Sequence, residues 1–116
     1  FKADLNFIPV RGNFTRGIYS TVYTKCDLNL DEAQRLYTKY YRAEAFTKIV
    51  TENPDLKQVV NTNKALLYLE KHGDKLLIVS MLDNLLKGAS GQAVQNMNIM
   101  YGWPEESGLK LKGVVF

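Results

Sequence analysis

Alternation of residue type predicts strands at the start of the chain. Residues 18 to 25 are almost all β-branched or aromatic, and they alternate in type between neighbouring positions. A period of two is typical of a β-strand. Residues 4 to 10 are also rich in strand formers, and Pro9 there favours a sheet edge or a bulge. We therefore predict two strands, joined by an irregular connection over residues 11 to 17.

A helix is predicted after the second strand. Asn29 is a good N-cap, and Glu32 follows it at the spacing of a capping box. Apolar residues then recur at helical spacing from Ala33 to Tyr41, which predicts a helix over residues 30 to 43 with one broad apolar face. Tyrosines on this face would suit a stacking platform, but at helical spacing we interpret them as core.

The middle of the chain has the pattern of a β-hairpin. Two strand-like runs, at residues 65 to 71 and 75 to 82, flank a loop at 72 to 74 with glycine at its centre. His72, the only histidine, is therefore expected at a solvated turn, which argues against a catalytic role. Shorter strands are predicted at residues 45 to 50 and 57 to 60.

The last helix is predicted from about Ser90 to Tyr101. Amides stand on it where an exposed helix would normally carry charges, which favours a covered or partner-facing surface. Gly102 and Pro104 end the helix, and the tail to Phe116 is predicted to be a loop with a short final strand. These elements predict one α/β (α+β) domain with a mixed, mostly antiparallel sheet and helices packed on one face.

Composition excludes several function classes. The 116 residues are 46% hydrophobic and 23% charged, which is typical of a globular domain and not of a disordered chain. The 15 Lys and Arg alternate with 12 Asp and Glu, so the net charge of +3 forms no basic stripe for nucleic acid. No apolar stretch is long enough to cross a bilayer. We expect neither a nucleic-acid nor a membrane partner.

Cys26 is the only cysteine, so it forms no internal disulfide and no zinc site, and we expect a cytoplasmic protein. It lies at a strand end with no histidine nearby, and we interpret it as structural rather than nucleophilic. The dinucleotide and P-loop glycine motifs are absent from the chain. Because the chain begins at Phe1, we expect a processed protein or a piece of a longer one.

Two segments suggest ligand chemistry. Residues 87 to 91 lead into the last helix, where small side chains and free backbone N–H groups allow close approach to an anion and Lys87 adds positive charge. A plain turn that caps the helix is the alternative. Arg11 and Arg16, in a loop with two glycines, could bind a carboxylate or phosphate, or could be solvated surface residues.

Two motifs resemble those of a known family. The run from Ser80 to Glu105, with Asp83-Asn84, Lys87-Gly88 and an amide-rich helix, resembles the C-terminal signature of N-acetyl-gamma-glutamyl-phosphate reductases. Phe7-Ile8-Pro9 followed by Arg16-Gly17-Ile18 resembles the F-x-P and R-G-I motifs of the same family. The resemblance implies a fold like the C-terminal domain of glyceraldehyde-3-phosphate and aspartate-semialdehyde dehydrogenases.

The resemblance implies one domain of a two-domain enzyme, which uses NADPH and a cysteine thioester to reduce an acyl phosphate to a semialdehyde in arginine biosynthesis. In that family the nucleophilic cysteine, the assisting histidine and the nucleotide motif precede the matched stretch. Cys26 and His72 fall in neither motif and inherit no role. We therefore expect residues 1 to 116 to be the substrate-binding and dimerisation domain, inactive alone, with no catalytic or metal-binding residue. A homo-oligomer formed through the sheet is expected.

The resemblance also implies site residues. Arg16, in the R-G-I match, is expected to anchor an anionic group of the acyl-phosphate substrate, with Arg11 as a weaker candidate. Asn84, Lys87 and Gly88 match the stretch that approaches the nicotinamide of the cofactor.

The last helix is expected to pack on the missing nucleotide-binding domain, with Gln92 and Gln95 facing it. The alternative function is a non-enzymatic interaction and oligomerisation module, whose sheet face or amide-rich helix binds a protein partner. The part of the gene before Phe1 would distinguish the two.

Overall fold

A computed structural model of the protein describes residues 4–113, in which four strands form one mixed sheet. The strands are β1 (Ile18–Lys25), β2 (Thr47–Val50), β3 (Ala65–His72) and β4 (Lys75–Leu82). Their order in the sheet is β1-β4-β3-β2. The β1–β4 and β3–β4 pairs are antiparallel, and β2 is parallel to β3. The predicted mixed, mostly antiparallel sheet is confirmed.

The central β3–β4 hairpin is confirmed, but its loop is shorter than predicted. His72 pairs with Lys75, so only Gly73 and Asp74 form the turn. Gly73 has φ of 57°, a left-handed conformation that tight hairpins require and glycine adopts without strain. His72 therefore ends a strand, half exposed, where its Nε2 lies 2.9 Å from a carboxylate oxygen of Glu70.

The two faces of the sheet are covered by different parts of the chain. On one face, Ala33 of helix α1 (Leu30–Tyr40) packs with Leu69 and Leu76. Because neighbouring side chains of a strand alternate between faces, Leu66 of β3 and Val79 of β4, each three positions from these leucines, point to the opposite face. There Val59, from the connection between β2 and β3, completes a second cluster. Its buried members are Val59, Leu66, Val79 and Met81.

Helix α1 begins as predicted but buries less than predicted. Asn29 Oδ1 accepts from the backbone N–H of Glu32, whose carboxylate accepts from the Asn29 N–H, both at 2.9 Å. The helix ends at Tyr40, before the predicted residue 43. Tyr40 is 75% exposed, so the interpretation of the tyrosines as core is wrong for it, and Leu36 on the same face is 55% exposed. The residues of this face that pack in the cluster are Leu30, Ala33 and Tyr37.

Two predicted strands are not formed. Residues 4 to 10 have no regular structure, because no neighbouring strand within the described residues pairs with them. Residues 56 to 58 form a 3₁₀ turn in place of the predicted strand at 57 to 60. The turn is favoured because the side chain of Asp55 accepts from the Lys57 N–H at 2.8 Å and caps it.

Helix α2 (Gly91–Met100) follows a π-helical turn at Leu86–Ser90. Its amides are partly covered, since buried Asn98 donates to the carbonyl oxygens of Glu105 and Ser107 at 3.0 and 2.9 Å. No strand is present in residues 105 to 113, and the rest of the predicted final strand lies outside the described residues. Among residues 4–113, no helix is long and apolar enough to span a membrane.

Candidate functional site

Three segments of the chain meet at one end of the central strands. Ile18 of β1 and Ala65 of β3 are both paired with Leu82 at the end of β4. The pairing therefore brings the residues before β1, the residues before β3 and the residues after β4 to the same end of these strands. Arg16 and Asn84, both predicted from the sequence as site residues, lie there.

The carboxylate of Asp83 is the centre of this arrangement. The residue is fully buried. Its Oδ1 accepts from the backbone N–H groups of Leu85 and Leu86, at 2.8 and 3.0 Å. Its Oδ2 accepts from the backbone N–H of Asn61, at 2.7 Å. Arg16 Nη2 lies 3.0 Å from Oδ1 and 2.9 Å from Oδ2.

The surroundings of Asp83 favour its charged form. Burial acts to raise the pKa of the carboxyl group, because a charge is poorly solvated inside a protein. The hydrogen bonds from Asn61, the following turn and Arg16 oppose burial and bring the pKa below its ordinary value. Asp83 is therefore ionised at neutral pH, with Arg16 as its counterion.

The side chain of Arg16 is held through its guanidinium and is partly exposed. Nη1 donates to Asn61 Oδ1, and Nη2 donates to Asp83. Nε is buried and finds no hydrogen-bond partner in residues 4–113, while the side chain as a whole is 28% exposed. Because an arginine has five N–H donors and Nη1 uses one of its two on Asn61, the second Nη1 hydrogen has no partner in the described residues.

Asn84 and Gly88 adjoin the same cluster. Asn84 Oδ1 accepts from the backbone N–H of Gly17 at 2.7 Å, which joins the turn after β4 to the residue beside Arg16. The Gly88 N–H donates to the carbonyl of Asp83 at 2.9 Å. A Cβ atom on Gly88 would meet its nearest atom at 3.4 Å, an ordinary contact, so packing within this chain does not require glycine.

Lys87 belongs to a second polar cluster. Its Nζ donates to Gln95 Oε1 at 2.7 Å and lies 5.6 Å from the ring centroid of Phe46. Burial lowers the pKa of Lys87, while the charges of Glu105 and Glu44 act in the opposite direction. No hydrogen bond in the described part of the chain joins Lys87 to the Arg16 cluster.

The remaining sequence candidates lie apart. Gln95, expected to face another domain, accepts from Asn63 Nδ2 at 3.2 Å and donates to Glu105, so it is engaged within the chain. Gln92 is exposed. Arg11 is exposed too and has no hydrogen bond or ion pair within residues 4–113. The structure thus brings Arg16 and Asn84 together and leaves Arg11 outside.

Sequence reasoning missed Asp83 and Asn61 as members of the cluster. Asp83 had a usable signal, since an aspartate directly after a strand often accepts from the N–H groups that follow it. Asn61 had a weaker one, the tolerance of asparagine for positive φ, which is 61° here. Within residues 4–113, no group of three or more His, Cys, Asp or Glu side chains is placed to hold a metal ion.

Known proteins similar to the chain agree with one another. The family described as "Semialdehyde dehydrogenase, dimerisation domain" matches residues 1–84. The N-acetyl-gamma-glutamyl-phosphate reductase of Azobacteroides pseudotrichonymphae is 61% identical over 111 residues, which are 96% of this chain and 35% of that protein. The reductases of the same name from Parabacteroides distasonis and Christiangramia forsetii are each 59% identical, over 100% and 98% of the chain and 36% of their own length. The chain thus spans about a third of these curated relatives.

Proposed function

Because this chain belongs to the semialdehyde dehydrogenase dimerisation-domain family, we propose that it is the substrate-binding and dimerisation part of an N-acetyl-gamma-glutamyl-phosphate reductase. The observation that carries the proposal is 61% identity to a reductase of that name across 96% of the chain. The proposed reaction converts the acyl phosphate to the semialdehyde with NADPH, in arginine biosynthesis and in the cytoplasm. The single cysteine supports a reducing compartment.

We propose that the nucleophilic cysteine, the assisting histidine and the nucleotide motif belong to a part of the protein that precedes residue 1. The span of only 35% of the relative's length supports this division. Cys26 packs against the Ala33 cluster, and its carbonyl accepts from Lys71. The Nε2 atom of His72 lies 2.9 Å from a carboxylate oxygen of Glu70, next to the hairpin turn. These positions support structural roles for both.

Arg16 is the residue of this chain proposed to bind the substrate anion. Its side chain is partly exposed and Nη1 has a second N–H without a partner in the described residues, and a guanidinium pairs well with a carboxylate or phosphate. The ion pair with Asp83 and the hydrogen bond to Asn61 hold the guanidinium of Arg16 in one orientation. Arg11 is a weaker candidate, because nothing in the described residues orients it.

Asn84, Lys87 and Gly88 are proposed to lie against the nicotinamide end of NADPH, which supplies a hydride when it is bound. The residues fit such a neighbour. Gly88 is not required by internal packing, so its bare backbone leaves room for a ring. Asn84 uses its side-chain oxygen on Gly17, and its amide N–H groups remain to donate. Lys87 would contribute positive charge from beside them.

The test measures NADPH-dependent reduction of N-acetyl-gamma-glutamyl phosphate by the full-length protein and by residues 1 to 116 alone. We expect turnover only by the full-length protein. In that protein, Arg16→Ala should raise the KM for the acyl phosphate by about tenfold or more, because a charged hydrogen bond is lost. Arg11→Ala is the matched control and should have a smaller effect.

Four results would count against the proposal. A full-length protein that does not reduce the acyl phosphate would overturn the reductase function, and an unrelated preceding domain would favour the interaction module. Turnover by residues 1 to 116 alone would overturn the division of labour. An unchanged kcat/KM in Arg16→Ala would remove Arg16 from the site.

A further inference from the structure

We infer that Asp83 is a positioning residue of the proposed active site, which fixes the Arg16 guanidinium relative to the turn that carries Asn84 and Lys87. The inference rests on the proposed function, because it concerns the substrate and cofactor contacts proposed above. Asp83 would touch neither substrate nor cofactor, since it is fully buried.

The geometry connects two parts of the chain through one carboxylate. Arg16 and Asp83 are 67 residues apart in sequence, and their side chains meet through Nη2 at 2.9 and 3.0 Å. The same carboxylate accepts from the N–H groups of Leu85 and Leu86, which belong to the turn between Asn84 and Lys87. A shift of either part would therefore break bonds that hold the other.

A buried ion pair is a weak means of stabilising a fold, because desolvation of the two charges offsets their attraction. Packing alone would be served as well by apolar side chains of similar volume. The pair does supply orientation, since a planar guanidinium held through Nη1 and Nη2 keeps the unpaired hydrogen of Nη1 in a fixed direction. Fixed donors are what binding a reactive anion in one pose requires.

Asn61 completes the support. Its side-chain oxygen accepts from Arg16 Nη1, and its backbone N–H donates to Asp83 at 2.7 Å. To do both, it adopts φ of 61°, which costs free energy for any residue except glycine. A strained residue that orients two members of one cluster is typical of functional sites. Asn61 thus acts with Asp83 on Arg16.

The main experiment is a double-mutant cycle in the full-length reductase with Asp83→Asn, Arg16→Ala and the double variant. We expect Asp83→Asn to raise the KM for the acyl phosphate by about tenfold, because the amide keeps the shape but no longer holds the guanidinium charge. In the Arg16→Ala background the same change should raise it by less than about twofold, since there is no guanidinium left to position. Equal effects in both backgrounds would overturn the inference.

A second variant tests the inference independently, in case Asp83→Asn does not fold. Asn61→Gly removes the acceptor for Arg16, keeps the backbone N–H that binds Asp83 and suits the positive φ, so the protein should remain folded. Its KM for the acyl phosphate should rise by about threefold or more. An unchanged KM in a folded Asn61→Gly protein would overturn the inference, whatever Asp83→Asn does.

The matched control is Asp74→Asn in the exposed hairpin turn, which makes the same chemical change away from the cluster. It should leave the KM for the acyl phosphate unchanged. If Arg16→Ala raises the KM but neither Asp83→Asn nor Asn61→Gly does, the inference alone fails. If Arg16→Ala leaves the KM for the acyl phosphate unchanged, the proposed substrate contact is wrong, and the inference that depends on it is wrong too.

Discussion

Gly91, at the start of α2, is a position where space rather than backbone conformation requires glycine. Its φ of −66° is open to any residue. A Cβ atom there, however, would lie 2.3 Å from Oδ1 of buried Asn63 and 2.9 Å from the carbonyl oxygen of Leu86. We therefore expect Gly91→Ala to lower the free energy of unfolding by about 1 to 3 kcal/mol, the usual cost of overpacking, as measured by urea denaturation.

Gly88→Ala is the matched control for that prediction. Both glycines lie in the turn and helix after β4, but the nearest atom to a Cβ on Gly88 is a side-chain carbon of Leu82 at 3.4 Å. The stability of Gly88→Ala should stay close to that of the original chain. Equal unfolding free energies for Gly91→Ala and Gly88→Ala would mean that the Asn63 side chain moves aside freely.

The charge of Asp83 should make stability depend on pH. Its pKa in the folded chain is below that of an unfolded aspartate, near 3.9. The stabilisation is therefore complete above the unfolded pKa and is lost as pH falls through the folded pKa. At pH 7 we expect Asp83→Asn to lower the free energy of unfolding by about 1 to 3 kcal/mol, because its buried donors lose an ionised acceptor.

The measurement for this prediction is urea denaturation of both chains from pH 7 down to pH 3. The difference in unfolding free energy between the two chains should narrow as pH drops below about 3.9, since the aspartate of the unfolded original chain then takes up a proton more readily than folded Asp83 does. A difference that stays constant over this range would show that the charge of Asp83 contributes nothing beyond its shape.

At the scale of single elements, the capping box of α1 offers a direct test. Asn29→Ala removes the oxygen that accepts from the Glu32 N–H, and we expect a loss of about 1 kcal/mol in the free energy of unfolding. Asn29→Asp is the control, because aspartate caps equally well and its charge favours the helix N-terminus. Thermal unfolding of the two variants should separate them, and equal midpoints would contradict a stabilising cap.

Local signals predicted the elements whose stability is local. The strand at β1, the β3–β4 hairpin and the start of α1 follow from alternation, a glycine-bearing turn and a capping pair, all within a few residues. The strand predicted at residues 4 to 10 had equally good composition. It fails in the described chain because a strand also needs a hydrogen-bonding neighbour, and composition does not say whether one is present.

The candidate site was predictable in part for the same reason. Arg16 and Asn84 were identified through a resemblance in local motifs, and they do lie together at one end of the strands. Their connection through Asp83 and Asn61 depends on which strands pair and in what register. That information is distributed over residues far apart in sequence, and no motif contains it.

At the scale of the whole molecule, apolar surface remains uncovered in several places. Every residue of β1 is exposed, although β1 is rich in apolar and aromatic side chains. The end of α2 exposes Met100, Tyr101 and Trp103, at 83%, 68% and 53%. Large apolar patches on a folded chain usually mark surfaces that bind another protein or domain. The family's description as a dimerisation domain suits β1, which is an edge strand.

We expect the chain to self-associate through the β1 face that carries Tyr19 and Tyr23, because aromatic residues are enriched at interfaces and these two are 47% and 64% exposed. Tyr19→Lys with Tyr23→Lys should weaken the dimer by about tenfold or more in sedimentation equilibrium, since charges would be buried unpaired. Ser20→Lys adds a charge to the opposite face of the same strand and should have little effect. If Ser20→Lys dissociates the dimer equally, the free edge of β1 and not its tyrosine face mediates association, because edge pairing would be sensitive to charge on either face.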